Sequence, residues 1–197
     1  MRKASLIILL ILLCVALFSG IAVLKSPLLQ IAFLNVGQGN AILITSPLGN
    51  SMLIDGGPDQ SILQALGRVL PFYKRSIDVV LATSQKSSDV GGLPFIFERF
   101  NVGAFVDSEL DSKTTTYRTL VDDVNSKNIP RITANIGNQI NLGGGVSFLI
   151  LSSGAEVTGK ILYGATSISI PEDIPATSTH DIILESDGEY IKSSRLF

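Results

Sequence analysis

Residues Phe33–Pro58 read FLNVGQGNAILITSPLGNSMLIDGGP, and Val79–Leu93 read VVLATSQKSSDVGGL. In and around the first stretch, β-branched and aromatic residues predict strands over Gln30–Val36, Asn40–Thr45 and Ser51–Ile54. The Gly37-Gln38-Gly39 loop and the Pro47-Leu48-Gly49-Asn50 turn separate them. The spacing then changes, with Ile62, Leu63, Leu66, Val69 and Leu70 recurring at helical intervals from Gln60 until Pro71 interrupts. Asp59 or Ser61 supplies the N-cap. Asp78–Thr83 is an apolar run suited to a strand buried on both faces.

Working outward, Pro94 sits well in the first turn of a short helix through Phe100, and Val102–Val106 reads as a further strand. Tyr117, Leu120, Val121 and Val124 mark a helix ending near Ile129-Pro130. Two hairpins follow. One joins Ile140–Leu142 to Val146–Leu151 through Gly143-Gly144-Gly145, and the other joins Asp181–Glu185 to Glu189–Lys192 around Asp187-Gly188. Between them, residues 152–179 are rich in Ser, Thr, Gly and Pro and read as loop, with one weak strand near Lys160–Tyr163. This order predicts a mixed α/β (α+β) body with predominantly β character.

Composition sets the outer limits. The chain has 197 residues, within the one-domain range, with 46% hydrophobic and 16% charged residues and a net charge of −2. One Cys excludes an intramolecular disulfide, and one Cys with one His cannot build a zinc site of the Cys/His kind. Mean hydropathy is high at +0.41, and much of it is concentrated in Ser5–Leu24, SLIILLILLCVALFSGIAVL, twenty residues without a charge. Such a helix spans the roughly 30 Å hydrocarbon core. A cleavable signal peptide is the competing reading, but the run exceeds the usual h-region, so a retained anchor is preferred. Cys14 lies within this run and reads as a packing residue. Arg2 and Lys3 outweigh Lys25, which predicts a single-pass cell-membrane protein with an extracytoplasmic body over residues 26–197. Without Arg2, Lys3 and Lys25 the body keeps 12 basic against 17 acidic residues, a net charge of −5 that argues against a nucleic-acid partner. Lys74-Arg75, the densest basic point, reads as a solvated helix end.

Three ordered motifs carry a family resemblance: Phe33–Ile44, then Leu53–Pro58, then Val79–Leu93. Together they resemble the metallo-β-lactamase fold, and within it the C-terminal domain of ComEC-type DNA-uptake proteins, where F-L-D-V-G-Q-G-D-A, L-I-D-G-G and L-T-H-P-H-A-D-H-x-G-G-L follow in the same order. The likeness covers residues 30–150 well and 176–192 loosely. It implies a four-layer αβ/βα sandwich, with Gly37, Gln38, Gly39, Asp55, Gly56, Gly57, Gly91 and Gly92 as its structural motif. It also implies one or two zinc ions held by His and Asp at one sheet edge, activating water for hydrolysis. Here the family's first His falls on Ser84, its second on Lys86, its Asp on Ser88 and its third His on Asp89. An ammonium offers no lone pair to a metal. Asn35 and Asn40 stand where the family has Asp. The later carboxylate of its T-G-D strand end has no counterpart in YIKSSRLF, so the sandwich is expected to be C-terminally shortened.

Asp55 is retained, and reads as a strand-end residue fixing the Gly56-Gly57 turn by backbone hydrogen bonds. Asp55 and Asp89 are the residual metal candidates, with Asp59 as a third carboxylate for magnesium or manganese. Ser84, Lys86 and Ser88 also permit a Ser-Lys nucleophile reading, in which a neutral lysine takes the hydroxyl proton. His180, the sole His, reads as a surface or edge residue, and Asp122-Asp123 as a solvated helix face. The reading that results is a membrane-anchored metallo-β-lactamase-like domain that has lost its metal ligands, with no cofactor expected. It would serve as a non-catalytic binding or scaffold relative of the competence-type hydrolases. The alternatives are a metal-dependent hydrolase with an atypical ion site, and a truncated reading frame. Exposed sheet edges predict a homodimer or a protein partner.

Overall fold

The computed structural model describes residues 28–108, 114–170 and 180–195. The apolar run Ser5–Leu24, and with it the anchor and Cys14, lies outside the described residues; among those described, no helix is long and apolar enough to cross a membrane. The chain forms β1 (Leu29–Phe33), β2 (Ile42–Thr45), β3 (Ser51–Ile54), α1 (Ser61–Val69), β4 (Ser76–Leu81), α2 (Ser87–Val90), α3 (Leu93–Arg99) and β5 (Asn101–Asp107). There follow α4 (Thr115–Ser126), β6 (Arg131–Thr133), β7 (Gln139–Gly143), β8 (Val146–Ser152), β9 (Thr158–Tyr163), β10 (Thr166–Ile170), β11 (Ile182–Ser186) and β12 (Ile191–Arg195).

Eight strands make the main sheet in the order β12-β11-β1-β2-β3-β4-β5-β6, and four make a second sheet in the order β10-β9-β8-β7. β3 to β6 run parallel, joined by helical crossovers, while β12 through β3 pair antiparallel. The central strands are buried on both faces, which is why they read as unbroken apolar runs. Alternation shows which neighbour each residue meets. Leu43, Leu53, Val80 and Phe105 pack with Ile62, Leu66, Ile96 and Leu120 of the helical layer. Ile42, Ile44, Met52, Ile54, Leu81 and Val106 pack instead with Phe148, Ile150 and Ile161 of the second sheet.

Three layers result among the described residues: helices, main sheet and second sheet. The fourth, helical layer of the expected αβ/βα sandwich is not found among them. Cross-strand rows on the second sheet account for this. The inner row Ile140, Phe148, Ile161, Ile168 is apolar, whereas the outer rows Gln139, Leu149, Lys160, Ser169 and Asn141, Ser147, Leu162, Ser167 mix polar residues with single leucines. A face of that composition can stand in water. Gly159 admits the Phe148 ring, since a Cβ there would lie 2.1 Å from it.

Most predicted elements form, with shifted ends. The first strand stops at Phe33 rather than Val36, and the one predicted from Asp78 begins at Ser76. Two corrections are larger. The Ser/Thr-rich stretch expected to be mostly loop contains the β9–β10 hairpin, because its alternating TSISI places Ile168 and Ile170 inward. β6 was not predicted at all, being three residues long and at the sheet edge.

The register defines two opposite edges of the main sheet. Leu29, Thr45, Ser51, Ser76 and Asn101 lie toward one, here termed the root edge because the chain enters the sheet there. Loops leaving β1, β3, β4 and β5 lie toward the other, the loop edge. There the family resemblance places its metal site.

Candidate functional site

At the loop edge, Asp55 ends β3 and is 2% exposed. Its φ of 59° is a left-handed conformation that short Asp side chains tolerate. The carboxyl faces the exit of β4: Oδ1 accepts from Thr83 N at 2.8 Å and Oδ2 from Thr83 Oγ1 at 2.5 Å. Burial pushes its pKa up to about 8, with the two Thr83 hydrogen bonds and the Lys86 charge opposing and Asp89 adding to the rise. Asp55 was expected to fix the Gly56-Gly57 turn, and this is corrected: its side chain ties β3 to β4. Main-chain bonds hold the turn instead, from Gly56 N to Asp89 O (2.7 Å), Gly57 N to Asn40 O (2.9 Å) and Gly92 N to Gly57 O (2.9 Å).

Three glycines of the sequence motif, Gly39, Gly91 and Gly92, sit where main chain meets main chain, while Gly56 and Gly57 face the side chains of Leu93 and Val36. A Cβ on Gly39 would lie 2.0 Å from Ser88 O, and one on Gly92 would lie 2.0 Å from Gly56 O. Gly37 and Gln38, by contrast, are exposed in the β1–β2 turn, where Asn35 Oδ1 accepts from Gly37 N at 3.2 Å. Asp59 is exposed and accepts from Ser61 N at 2.8 Å, which lowers its pKa.

The loop carrying the family's ligand positions is bonded to itself. Ser84 Oγ donates to Asp89 Oδ2 at 2.5 Å and accepts from Lys86 N at 3.1 Å, while Ser88 Oγ donates to Asp89 Oδ1 at 3.2 Å. Ser84 and Asp89 are each 6% exposed. Lys86 Nζ pairs with Glu156 on the β8–β9 loop, and Val157 N of that loop donates to Thr83 O at 2.7 Å. Thr114 Oγ1 donates to Gln85 O, and Ser87 Oγ to Thr116 Oγ1, securing the loop to the start of α4.

Asp55 and Asp89 thus lie close enough to repel one another, while the Asp59 side chain accepts from Ser61 N at the start of α1, whose N-cap is Gln60, without a side-chain cap, rather than Asp59 or Ser61. Among the described residues no three His, Cys, Asp or Glu side chains group as a metal site. Lys86 lies in an ion pair rather than against Ser84 Oγ or Ser88 Oγ, so the Ser-Lys arrangement is not assembled. His180 is exposed beside the buried Asp181, whose carboxylate is engaged by Arg68 Nε at 2.5 Å and Nη2 at 2.9 Å and by Asn35 N at 2.6 Å.

A further buried carboxylate at this edge was not anticipated. Asp107 ends β5 at 1% exposure and accepts from Arg131 Nη2 at 2.8 Å and from Tyr117 Oη. Burial, and then the hydrogen bond to Asp107, push the Tyr117 hydroxyl pKa upward. The group pins α4 and β6 to the sheet. An Asp closing the apolar run VGAFVD, with an Arg directly after Pro130, was the available signal.

No protein-family model matches the sequence, and no curated protein does. Solved structures do. The β-lactamase MEM-A1, a subclass B3 enzyme from a soil metagenome library, aligns with a TM-score of 0.50 and 15% identity over 70% of this chain and 57% of its own. The chain has the metallo-β-lactamase fold. Zinc-bound PqqB from Methylobacterium extorquens (TM-score 0.49, 19% identity, 68% of this chain and 51% of that one) and a diphosphatase of the PhnP family (0.44, 18%, 74% and 68%) are further matches. At such identities the likeness is one of fold alone. The chain spans about half the length of the first of these metallo-β-lactamase-fold structures.

Proposed function

We propose that this is a membrane-anchored metallo-β-lactamase-fold domain that binds a partner rather than hydrolysing a substrate. The observation that carries it is the closed network at the ligand positions: Ser84 and Ser88 are bonded to Asp89, and Lys86 to Glu156. The donor set there does not fit the zinc that the resemblance implies. Both oxygens of Asp55 are engaged by Thr83. Lys86, at a ligand position, offers an ammonium with no lone pair for a divalent cation. Within the fold, the ordered motifs favour kinship with the ComEC-type C-terminal domain. Residues 5–24 serve as the single-pass anchor and residues 26–197 as the extracytoplasmic body. The body's net charge of −5 and its open sheet edges favour a protein partner or a second copy over nucleic acid.

The test is metal analysis of the full chain purified in detergent, paired with hydrolysis of a generic phosphodiester. Substoichiometric zinc and manganese, with no turnover above that of Asp89→Ala, is the expected result. Stoichiometric metal with turnover abolished by Asp89→Ala overturns it, in favour of a hydrolase with an atypical ion site.

A further inference from the structure

We propose that the root edge of the main sheet docks on a phospholipid surface, laying Leu48, Phe72 and Tyr73 into the headgroup boundary with Lys74, Arg75 and Arg99 around them. The proposal rests on the reading of residues 5–24 as a membrane anchor. Three turns assemble the patch. Lys74 Nζ donates to Gly49 O at 2.9 Å, joining the α1–β4 turn to the β2–β3 turn, and Asn101 N donates to Arg75 O at 2.9 Å, joining both to the end of α3.

Phe72 is 88% exposed, Tyr73 71% and Leu48 70%, and the two rings meet edge to face at 5.5 Å. Single exposed apolar side chains are ordinary on a protein surface, whereas an aromatic pair on a turn that Lys74 ties to the turn carrying exposed Leu48, with cations on the same turns, has the composition of a membrane-interface contact.

The chain's own connectivity selects lipid as the occupant. The apolar run ends at Leu24, and five peptide steps lead to Leu29 at the root edge, about 17 Å at full extension. β4 lies three strands from β1 in the sheet, about 14 Å across. An anchored body therefore carries the patch within reach of the bilayer. On the same edge the β11–β12 turn presents Tyr190 beside Asp187 and Glu189, so attraction to anionic headgroups falls on the Lys74 and Arg75 side.

The chain has no tryptophan, so one substitution makes a site-specific reporter. Full-length Phe72→Trp and Ile136→Trp are each reconstituted into vesicles of mixed phosphatidylcholine and phosphatidylglycerol containing a lipid brominated high on its acyl chain. Ile136 is 69% exposed on the loop between β6 and β7. Docking gives a blue-shifted Phe72→Trp emission and several-fold greater quenching by bromine than for Ile136→Trp, reduced when Lys74 and Arg75 are changed to Glu. Equal quenching of the two reporters in a chain that floats with the vesicles overturns the docking and leaves the anchor standing. A chain that does not float with vesicles overturns both.

Discussion

The two edges of the main sheet spend their side chains in opposite ways. At the loop edge, long connections cross one another on glycine contacts, and Asp55, Ser84, Ser88 and Asp89 are all bonded within the protein. At the root edge the turns are short, and Leu48, Phe72 and Tyr73 stand in water. The same strands connect the two. The loop edge shows that a metal-site scaffold can persist on main-chain contacts when its ligand positions carry other chemistry. The root edge shows surplus apolar area that the body's own folding does not use.

The sharpest way to break the contrast is by glycine substitution. Gly92→Ala drives a Cβ into Gly56 O without help from backbone strain and should cost about 3 kcal/mol or more, whereas Gly49→Ala meets no atom within 4 Å and should cost only the roughly 1 kcal/mol of its positive φ. Urea denaturation of the two variants checks this, and similar midpoints would mean that the loop edge is far looser than drawn.

Next in size is a pH effect. The folded pKa of Asp55 lies above its ordinary value of 3.8, at about 8. The unfolded chain therefore releases this proton first, and the contribution of Asp55 to stability falls as pH rises from about 4 to about 8. Asp55→Asn keeps an acceptor for Thr83 N and offers a donor to Thr83 Oγ1. Thermal melts across that window should show the decline in the parent and a flatter profile in the variant.

Smaller still, Lys86→Ala removes an ion pair whose side chains are 63% and 32% exposed, and should cost under about 1 kcal/mol. A larger loss would show that the clip to the second sheet organises the whole loop edge. Phe72→Ser should change stability by no more than about 0.5 kcal/mol in detergent, since its ring is almost wholly in solvent. A marked fall in its melting temperature would place that ring in the folded body's own packing rather than in surplus.

The α/β half was legible in the sequence because its signals are local. Ser51–Ile54 and α1 are announced by apolar runs and by helical spacing within a dozen residues, and the Asp187-Gly188 hairpin by its turn. The second sheet was less so. In β10 the isoleucines alternate with serine and threonine, and only pairing with β9 makes that alternation a strand. At the site, the family resemblance put Ser84, Lys86 and Asp89 at the ligand positions. Their partners were hidden, because Glu156 lies seventy residues from Lys86 and Arg131 twenty-four from Asp107. Long-range pairs of ordinary charged residues leave no spacing to read. The role of Asp55 was misassigned for the same reason, since Thr83 reaches it through parallel strand pairing.

The position of β1 between β2 and β11 sets a condition on synthesis. Gln30 meets its β2 partner Thr45 after fifteen residues, but its other neighbour, Glu185, is 155 residues downstream. At ribosomal speeds that interval is on the order of ten seconds, during which one side of the first strand is an unpaired template. The first of the described strands to be made is thus among the last of them to be sealed, and a nascent chain that has not yet reached Ile182 offers the edge of Leu29–Phe33 to whatever strand is nearest.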